Sequence, residues 1–197
     1  MNIIIIAGLP ASGKTTIAKK IGNTFGYPIL EKDAIKEELF DVIGFSSYEE
    51  KRKHDEAATA VLLRCTEALL QAKTSLICVN NFRPEAQVRL QSIIDKAQCN
   101  TVTVFFGGNA DIFFERYNER DRKQLRHPGH VLQDRYFSHE HHDAIYEMTR
   151  REFAEKFEIL GMADFTIRGP RLEVDATYPE KIDVGKLLSE IKQILSI

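Results

Sequence analysis

Short runs of branched apolar residues alternate along this chain with longer segments in which apolar residues recur every three or four positions. Runs of this kind are typical of strands that are buried on both faces of a parallel sheet. The first run contains four consecutive isoleucines, and Gly8 ends it. The predicted strands cover residues 2–7, 28–31, 75–79 and 101–106.

The intervening segments predict amphipathic helices, because their apolar residues fall on one helical face. These helices cover residues 16–21, 34–42, 48–72, 84–97, 111–124, 131–160 and 184–197. Gly169-Pro170 separates two short apolar runs, so residues 165–167 and 171–174 predict a hairpin. Strands that alternate with helices predict an α/β fold, a three-layer sandwich around a mostly parallel sheet.

Composition adds little to this pattern. The chain has 197 residues, no visible linker and ordinary contents of hydrophobic (43%) and charged (28%) residues, which favours one globular domain over residues 1–197. A net charge of -2 gives no general attraction to nucleic acid or to anionic membranes. The three cysteines are expected to be reduced and buried. Without a basic leader or a membrane-length apolar stretch, we expect a cytoplasmic protein.

Residues 8–15 carry the main chemical signal, since they fit the phosphate-loop pattern G-x-x-x-x-G-K-[ST]. The loop follows a predicted strand and opens a predicted helix, as this motif requires, which argues against a chance match in a glycine-rich turn. In such loops the backbone N–H groups cradle phosphate oxygens, helped by the helix N-terminus. Lys14 is expected to reach the β- and γ-phosphates, and the Thr15 hydroxyl to ligate Mg²⁺. The predicted cofactors are therefore ATP and Mg²⁺. The predicted nucleotide-binding residues of the loop are Gly8, Pro10, Ala11, Ser12, Gly13, Lys14, Thr15 and Thr16.

The phosphate loop, the short second strand with Asp33 nearby and a late arginine-rich segment together resemble the small P-loop kinases. Within that group they look most like the polynucleotide-kinase, zeta-toxin and chloramphenicol-phosphotransferase branch, often labelled AAA-type ATP-binding proteins. The resemblance spans nearly the whole chain, although only the phosphate loop is highly specific. It implies a P-loop NTPase of nucleotide-kinase type with sheet order 2-3-1-4-5 and a helical lid at about residues 109–142.

The same resemblance implies an ATP-dependent phosphotransferase that acts on a hydroxyl group. Asp33 would accept the proton of the acceptor hydroxyl, and Lys36 would hold the acceptor's phosphate or hydroxyl. The alternatives are that Asp33 only caps the helix predicted at residue 34 and that Lys36 is an ordinary solvated lysine. Arg83, just beyond the third strand, is expected to contact an anionic substrate.

The third predicted strand departs from the family pattern. Related chains carry a glutamate where this chain has Val79, and no carboxylate lies between residues 76 and 82. Asn80 and Asn81 could hydrogen-bond the substrate or a water on Mg²⁺, but more weakly than a carboxylate would. A non-catalytic or slowly hydrolysing ATP-binding regulator is therefore the alternative to a kinase.

Four arginines lie within residues 116–126. By the resemblance, Arg116 packs on the adenine and Arg120 clamps the phosphates, so Lys14, Asp33 and Arg120 are the predicted catalytic residues. Their four-residue spacing places Arg116 and Arg120 on one helix face. The alternative is a basic face that is merely solvated.

Other signals narrow the function further. Residues 139–143 are rich in histidine but do not form H-E-x-x-H, so a polar surface is expected rather than a zinc site. A guanine-specifying N-K-x-D is absent, which argues against a GTPase switch. The predicted partners are ATP and a hydroxyl-bearing small molecule or nucleotide, whereas a membrane or a long nucleic acid is not expected.

Overall fold

The computed structural model describes residues 1–123, 125–141, 147–159 and 165–197. One five-stranded sheet lies at its centre, and all of its strand pairs are parallel. The strand order is β2-β3-β1-β4-β5, which confirms the predicted α/β class and the order implied by the resemblance. The strands are β1 (Asn2–Gly8), β2 (Ile29–Glu31), β3 (Leu76–Val79), β4 (Asn100–Gly107) and β5 (Arg171–Asp175).

Helices cover both faces of the sheet, as expected where parallel strands are joined by crossover connections. They are α1 (Lys14–Phe25), α2 (Lys32–Ile43), α3 (Tyr48–Gln71), α4 (Pro84–Ala97), α5 (Ala110–Arg122), α6 (Pro128–Val131), α7 (Arg150–Ile159) and α8 (Val184–Leu195). No helix in the described ranges is long and apolar enough to cross a membrane.

Strand β1 is buried along its whole length, because it pairs with β3 on one side and with β4 on the other. Its side chains alternate between two hydrophobic cores. Ile4 and Ile6 face the core that includes Leu187 of α8, whereas Ile3 and Ile5 face the core of α3 and α4. This double burial fixes the carboxyl end of β1, where the phosphate loop begins.

Gly8 makes the transition from β1 into the loop, and its backbone lies very close to β4. Its φ is +130°, and a Cβ built there would lie 2.2 Å from the carbonyl oxygen of Phe106. The next residue, Leu9, donates its backbone N–H to that same oxygen over 3.1 Å. A side chain at position 8 would therefore push the loop away from the sheet.

The predicted hairpin at residues 165–174 is wrong. Strand β5 pairs in parallel with β4, and residues 165–167 form no strand. Side chains of α4 take the place of a partner strand, since Gln87 Oε1 accepts the Thr166 N–H (2.7 Å) and Gln91 Oε1 accepts the Arg168 N–H (2.8 Å). Phe165 is buried, so the alternation of apolar and polar residues here resembles that of a strand. The hydrogen bonds of this backbone segment are nevertheless made to side chains of α4.

The predicted long helix over residues 131–160 is also wrong. The short helix α6 ends at Val131, residues 132–141 are not helical, and α7 begins only at Arg150. Tyr136 instead exchanges two backbone hydrogen bonds of 2.8 Å with Phe45. Its ring packs with Phe40 and Phe45 in a small separate core, so apolar residues that suggested a helical stripe contact α2 instead. Residues 142–146 and 160 lie outside the described ranges.

The three cysteines are free, and only Cys78 is buried as predicted, whereas Cys65 and Cys99 are half-buried. Cys78 lies in β3 and is fully buried, and this burial raises the pKa of its thiol to about 12. The thiol therefore stays protonated and behaves as a small apolar side chain.

Replacing Gln87 with leucine should destabilise the fold by about 1–3 kcal/mol, because the buried carbonyl of Phe82 and the N–H of Thr166 would lose a hydrogen-bond partner. Chemical denaturation measures the free energy of unfolding. Val88→Ala on the exposed side of the same helix is the matched control and should change stability little. Equal stability of the two variants would contradict the role given to Gln87.

Candidate nucleotide and acceptor site

Two clefts meet at the carboxyl edge of the sheet. The phosphate-loop cleft, of about 700 Å³, is lined by Pro10 through Thr16. The α2–α3 cleft, of about 530 Å³, lies beside it between α2, α3 and the start of α4. Residues lining both include Asp33, Asn80, Asn81, Arg126 and His130. Asp33 therefore lies at the boundary where the two clefts meet.

The phosphate loop has the backbone shape that its sequence predicts. Gly13 has a φ of +81°, and no atom lies within 4 Å of a Cβ built on it, so this glycine is required by conformation alone. Ala11 also has a positive φ, 58°. Helix α1 begins at Lys14 with Gly13 as its N-cap residue, and no side chain caps the N–H groups of its first turn. This arrangement is suited to binding phosphate oxygens.

The Lys14 ammonium is held inside the loop. Its Nζ donates to the Leu9 carbonyl at 2.6 Å and lies 3.5 Å from Ser12 Oγ. Burial, reinforced by the charges of Arg120 and Lys32, lowers the pKa of Lys14 to about 8, although Asp33 and Glu31 oppose the shift. An anion bound in the cleft would relieve this cost.

Glu31 is a site residue that sequence reasoning missed. Its carboxylate accepts a short hydrogen bond from the Thr15 hydroxyl, and it is the last residue of β2. In the β2–β3 register Glu31 pairs with Val79, the position where a carboxylate was expected and is absent. The carboxylate of Glu31 therefore lies at the same level of the sheet as Val79, but on the neighbouring edge strand β2. The sequence did contain a signal for this residue, because Glu31 ends the second apolar run and lies two residues before Asp33.

The oxygen atoms near Thr15 form a donor set that fits Mg²⁺, which prefers oxygen ligands and keeps several waters. The Thr15 hydroxyl and Glu31 carboxylate are in contact. The buried Oδ1 of Asn81 has no hydrogen-bond partner among the described residues, so an acceptor remains available there. No cluster of three or more His, Cys, Asp or Glu in the described ranges could hold a metal by itself. His139 is exposed, and residues 142 and 143 of the histidine-rich segment lie outside those ranges.

Asp33 is ionised and accessible from the clefts. Its side chain is 58% exposed, and Lys32 Nζ lies 3.5 Å from it. Desolvation would raise the pKa of Asp33, but the charges of Lys32, His130 and Lys36 outweigh it and hold that pKa well below its usual range. The capping alternative is wrong, because α2 begins at Lys32, two residues before the predicted start, and Glu31 is its N-cap residue.

Lys36 lies in the α2–α3 cleft and is not an ordinary solvated lysine, since its side chain is only 11% exposed. Its Nζ lies 2.8 Å from Oδ1 of Asp55 on α3, and Lys32 Nζ lies at the same distance from the same oxygen. Arg83 approaches Oδ2 of Asp55 at 3.5 Å. Desolvation opposes ionisation of Asp55, yet the two lysines hold its pKa well below the usual range.

The four arginines of the predicted lid do not share one direction. Arg120 and Arg126 line the phosphate-loop cleft. Arg116 donates to the backbone carbonyls of Ala176 (2.9 Å) and Thr177, and Arg122 donates to Glu147 at 2.8 Å. Arg116 and Arg122 do not line either cleft, because acceptors on neighbouring segments hold their flexible side chains. The adenine-stacking role of Arg116 stays a prediction.

Arg126 and Arg120 add positive charge to the lining of the phosphate-loop cleft. Arg126 donates to Asp121 at 2.9 and 3.1 Å and lies 4.5 Å from the centre of the Tyr117 ring. Burial and the charge of Arg126 lower the pKa of Arg120. Two arginines therefore line the same cleft as Lys14, where they could contact bound phosphates.

Segment 126–138 is fastened to the helices of the α2–α3 cleft. His130 Nε2 lies 3.0 Å from Glu37 Oε1, and Lys51 Nζ donates to the carbonyls of His130 (3.0 Å) and Leu132. The Tyr136 hydroxyl donates to Asp41 at 2.6 Å. These contacts place His130 and Arg126 between the two clefts.

Comparison with known proteins agrees with this geometry. The family described as AAA domain matches residues 3–141, which include the phosphate loop and segment 126–138. The chain belongs to this AAA domain family. No curated protein matches the chain.

Solved structures with the same fold as this AAA domain protein include kinases. A candidate kinase from Chloroflexus aurantiacus J-10-fl is 28% identical, with 98% of each chain covered and a TM-score of 0.78. A gluconokinase from Sinorhizobium meliloti 1021 is 17% identical, with 99% of this chain and 91% of that chain covered and a TM-score of 0.55. Kti12 from Chaetomium thermophilum, solved with ADP-AlF3, is 14% identical, with 98% of each chain covered and a TM-score of 0.59. The fold is that of the P-loop kinases, and membership of the family implies nucleotide binding.

The pKa of Lys14 predicts how ATP affinity depends on pH. In the free protein Lys14 loses its proton near pH 8, whereas bound phosphates would keep it charged, so binding requires proton uptake above that pH. ATP affinity should therefore fall between about pH 7 and about pH 9.5, approaching tenfold per pH unit at the upper end. Isothermal titration calorimetry in buffers with different ionisation enthalpies measures both the affinity and the proton uptake.

Lys14→Arg is the matched control, because arginine stays charged over this range. Its ATP affinity should be weaker but nearly independent of pH. A wild-type affinity that does not change with pH, without proton uptake, would contradict the assignment of Lys14 to the phosphates.

Proposed function

We propose that this protein is an ATP-dependent kinase that transfers the γ-phosphoryl group of ATP to a hydroxyl group of a small molecule or nucleotide. The main support is the position of Asp33, an ionised carboxylate in the wall shared by the two clefts. Lys14 and Arg120 lie on its phosphate-loop side. Within the P-loop kinases, closeness to the polynucleotide-kinase, zeta-toxin and chloramphenicol-phosphotransferase branch is supported by the sequence motifs alone.

Asp33 would direct the acceptor oxygen at the γ-phosphorus. The hydroxyl would donate a hydrogen bond to the carboxylate, which aligns a lone pair of its oxygen for in-line attack. Because the pKa of Asp33 is low, the carboxylate is a weak base and would take the proton only as the new O–P bond forms. Orientation of the acceptor is therefore its main contribution.

The cations around the phosphates would stabilise charge during transfer. Lys14 would bind the β- and γ-phosphate oxygens from the loop, and Arg120, which lines the same cleft, would contact the transferred group. The N–H groups at the start of α1 would bind the remaining oxygens. Burial of Lys14 and Arg120 is costly in the empty cleft, as the lowered pKa of each shows, and a bound triphosphate would offset that cost.

Thr15 and Glu31 would hold Mg²⁺, with Asn81 bonded to one of its waters. When bound, the ion neutralises the β- and γ-phosphate charge. Glu31 would thus supply the carboxylate that Val79 lacks, from the adjacent strand.

The alternative function is an ATP-binding regulator that does not transfer phosphate. It is favoured by the apolar Val79 at the end of β3 and weakened by Glu31 beside it. The two functions differ in one measurement, whether an acceptor raises ADP formation far above the rate in buffer. A screen of sugars, nucleosides, amino-sugar nucleotides, antibiotics and oligonucleotide ends would also identify the acceptor.

With an acceptor from that screen, Asp33→Asn should lower kcat by about 10²–10⁴ and leave ATP affinity close to wild type. The amide keeps the shape of the side chain but cannot take the proton. Glu38→Gln, an exposed acid-to-amide change on the same helix outside both clefts, is the control and should be neutral. Near-normal kcat in Asp33→Asn would remove Asp33 from the mechanism.

Glu31→Gln should raise the Mg²⁺ concentration needed for half-maximal activity about tenfold, because one charged ligand is lost. The amide oxygen can still accept the hydrogen bond from Thr15, so folding should change little. Titration of activity with Mg²⁺ at saturating ATP measures this shift. An unchanged Mg²⁺ requirement would exclude Glu31 as the substitute carboxylate.

A further inference from the structure

Three histidine rings pack around the buried ring of Phe40. His54 of α3 and His127 and His130 of segment 126–138 lie 5.6, 5.9 and 5.6 Å from its centre. The two nitrogens of an imidazole have different hydrogen-bonding roles, and a nitrogen that carries no hydrogen and has no partner can accept a proton. The partners of each nitrogen therefore show which histidine is chemically available.

His127 and His54 offer no free nitrogen to either cleft. His127 Nδ1 accepts the Gly129 N–H at 3.1 Å, and its Nε2 lies 3.0 Å from Asp41 Oδ1. His54 Nδ1 lies 2.7 Å from the Glu50 carbonyl oxygen. The other nitrogen of His54 is buried without a partner among the described residues, and His54 lines neither cleft. Both histidines therefore serve attachment and packing.

His130 differs from these two histidines. Its Nε2 lies 3.0 Å from Oε1 of Glu37 on α2, and a carboxylate can only accept, so this nitrogen carries the hydrogen. Nδ1 is then the basic nitrogen. No described residue forms a hydrogen bond with Nδ1, and it is not one of the fully buried polar atoms. His130 lines both clefts, as Asp33 does, so an imidazole paired with a carboxylate lies where the clefts meet.

The position of the His130 ring is fixed by the packing of its segment. The ring meets Phe40 edge-on at an angle of 80°. Gly129 approaches Phe40 so closely that a Cβ built on it would lie 2.4 Å from that ring. Lys51 holds the backbone carbonyl of His130 at 3.0 Å. A base that is held in place before its substrate binds loses little entropy when it acts.

We propose that Nδ1 of His130, oriented by Glu37, receives the proton that the acceptor hydroxyl loses to Asp33 during phosphoryl transfer. This inference rests on the proposed kinase function and adds a catalytic residue to it. An imidazole is ordinarily a stronger base than a carboxylate by about two to three pKa units, so the proton moves in this direction. Glu37 stabilises the imidazolium that forms, as a carboxylate does in other carboxylate–imidazole pairs.

The bonds change in the following order. A lone pair of the acceptor oxygen forms the bond to the γ-phosphorus, while the bond from that phosphorus to the bridging oxygen breaks and leaves its electron pair on ADP. The hydroxyl proton passes to Asp33 and from there to the lone pair of His130 Nδ1. Asp33 and His130 share no hydrogen bond in the described structure, so a water in the cleft carries the proton between them. The imidazolium then releases the proton to solvent.

The charged and titratable groups around His130 come from α2, α3 and its own segment. They are Asp33, Lys36, Glu37, Lys51, Arg126 and His127. Burial lowers the pKa of His130 below its ordinary value, although Glu37 and Asp33 oppose the shift. The imidazole is therefore neutral at neutral pH and able to accept a proton. Since the imidazolium cannot accept another, kcat should fall about tenfold per pH unit below that pKa.

A purely structural role is the alternative, in which His130 only fastens its segment to α2. His130→Gln separates the two roles, because the amide N–H₂ can still donate to Glu37 but no group remains that can take a proton. With the acceptor found by the screen, this variant should keep the Tm of the wild type and lose about 10²-fold in kcat. Its remaining kcat should no longer fall at low pH. A near-normal kcat would overturn the proposal.

His130→Ala tests the proton transfer directly, because added imidazoles can replace the missing base. Imidazole, 4-methylimidazole and 4-chloroimidazole are similar in size and differ in basicity, so the restored kcat should rise with the pKa of the added base. His127→Ala is the matched control, since it also removes a histidine that pairs with a carboxylate of α2. Its kcat should not respond to the basicity of the added imidazole.

The outcomes separate the role of His130 from the kinase function. Equal responses of His130→Ala and His127→Ala to the three imidazoles would overturn the proton transfer to His130. If Asp33→Asn is inactive while His130→Gln is near normal, the kinase function stands and the role of His130 is wrong. Absence of acceptor-dependent ADP formation in the wild type would overturn both.

Discussion

The close approach of Gly8 to Phe106 is the constraint on which the site depends. Strand β1 lies at the centre of the sheet with a core on each face, so its end cannot shift without disturbing both cores. The backbone at Gly8 then turns against β4 in a conformation that excludes a side chain. The position of Lys14, and of every group that faces it, follows from this contact. A buried strand thus provides the rigid base that a phosphate site needs.

The electrostatics of the site link the two clefts. Lys32 lies between Asp33 and Asp55, and the charges on each side depend on it. It helps to keep Asp33 ionised, and it shares Asp55 with Lys36. A group bound beside Asp55 would therefore also act on Asp33, the carboxylate proposed to orient the acceptor hydroxyl.

The sequence was sufficient to predict those features that depend on residues close together in the chain. The isoleucine run, the glycines of the loop and the helical stripes specified the sheet class and the placement of Lys14 and Thr15. It could not predict features that depend on partners distant in the chain. Glu31 acquires its contact with Thr15 only when β2 lies at the edge of the sheet, and Asp55 is one charge among many on a polar helix face until Lys36 and Arg83 approach it.

The wrong predictions of a hairpin at residues 165–174 and of a long helix at residues 131–160 have a common physical origin. In both, the spacing of apolar residues indicated a regular element, but the backbone found acceptors elsewhere. Gln87 satisfies the chain at Thr166, and Phe45 does so at Tyr136. Apolar spacing shows which side chains are buried, whereas the hydrogen-bond partners decide the backbone conformation.

The attachment of segment 126–138 has a thermodynamic consequence. Lys51 and Glu37 bind this segment to α3 and α2, while Arg126 and His130 within it line both clefts. If a ligand in one cleft shifts these helices, it also moves groups that line the other cleft. Linkage then requires reciprocity, so the factor by which the first ligand changes the affinity for the second applies equally in reverse. Ligands bound in the two clefts would thus be coupled, each changing the affinity for the other by the same factor.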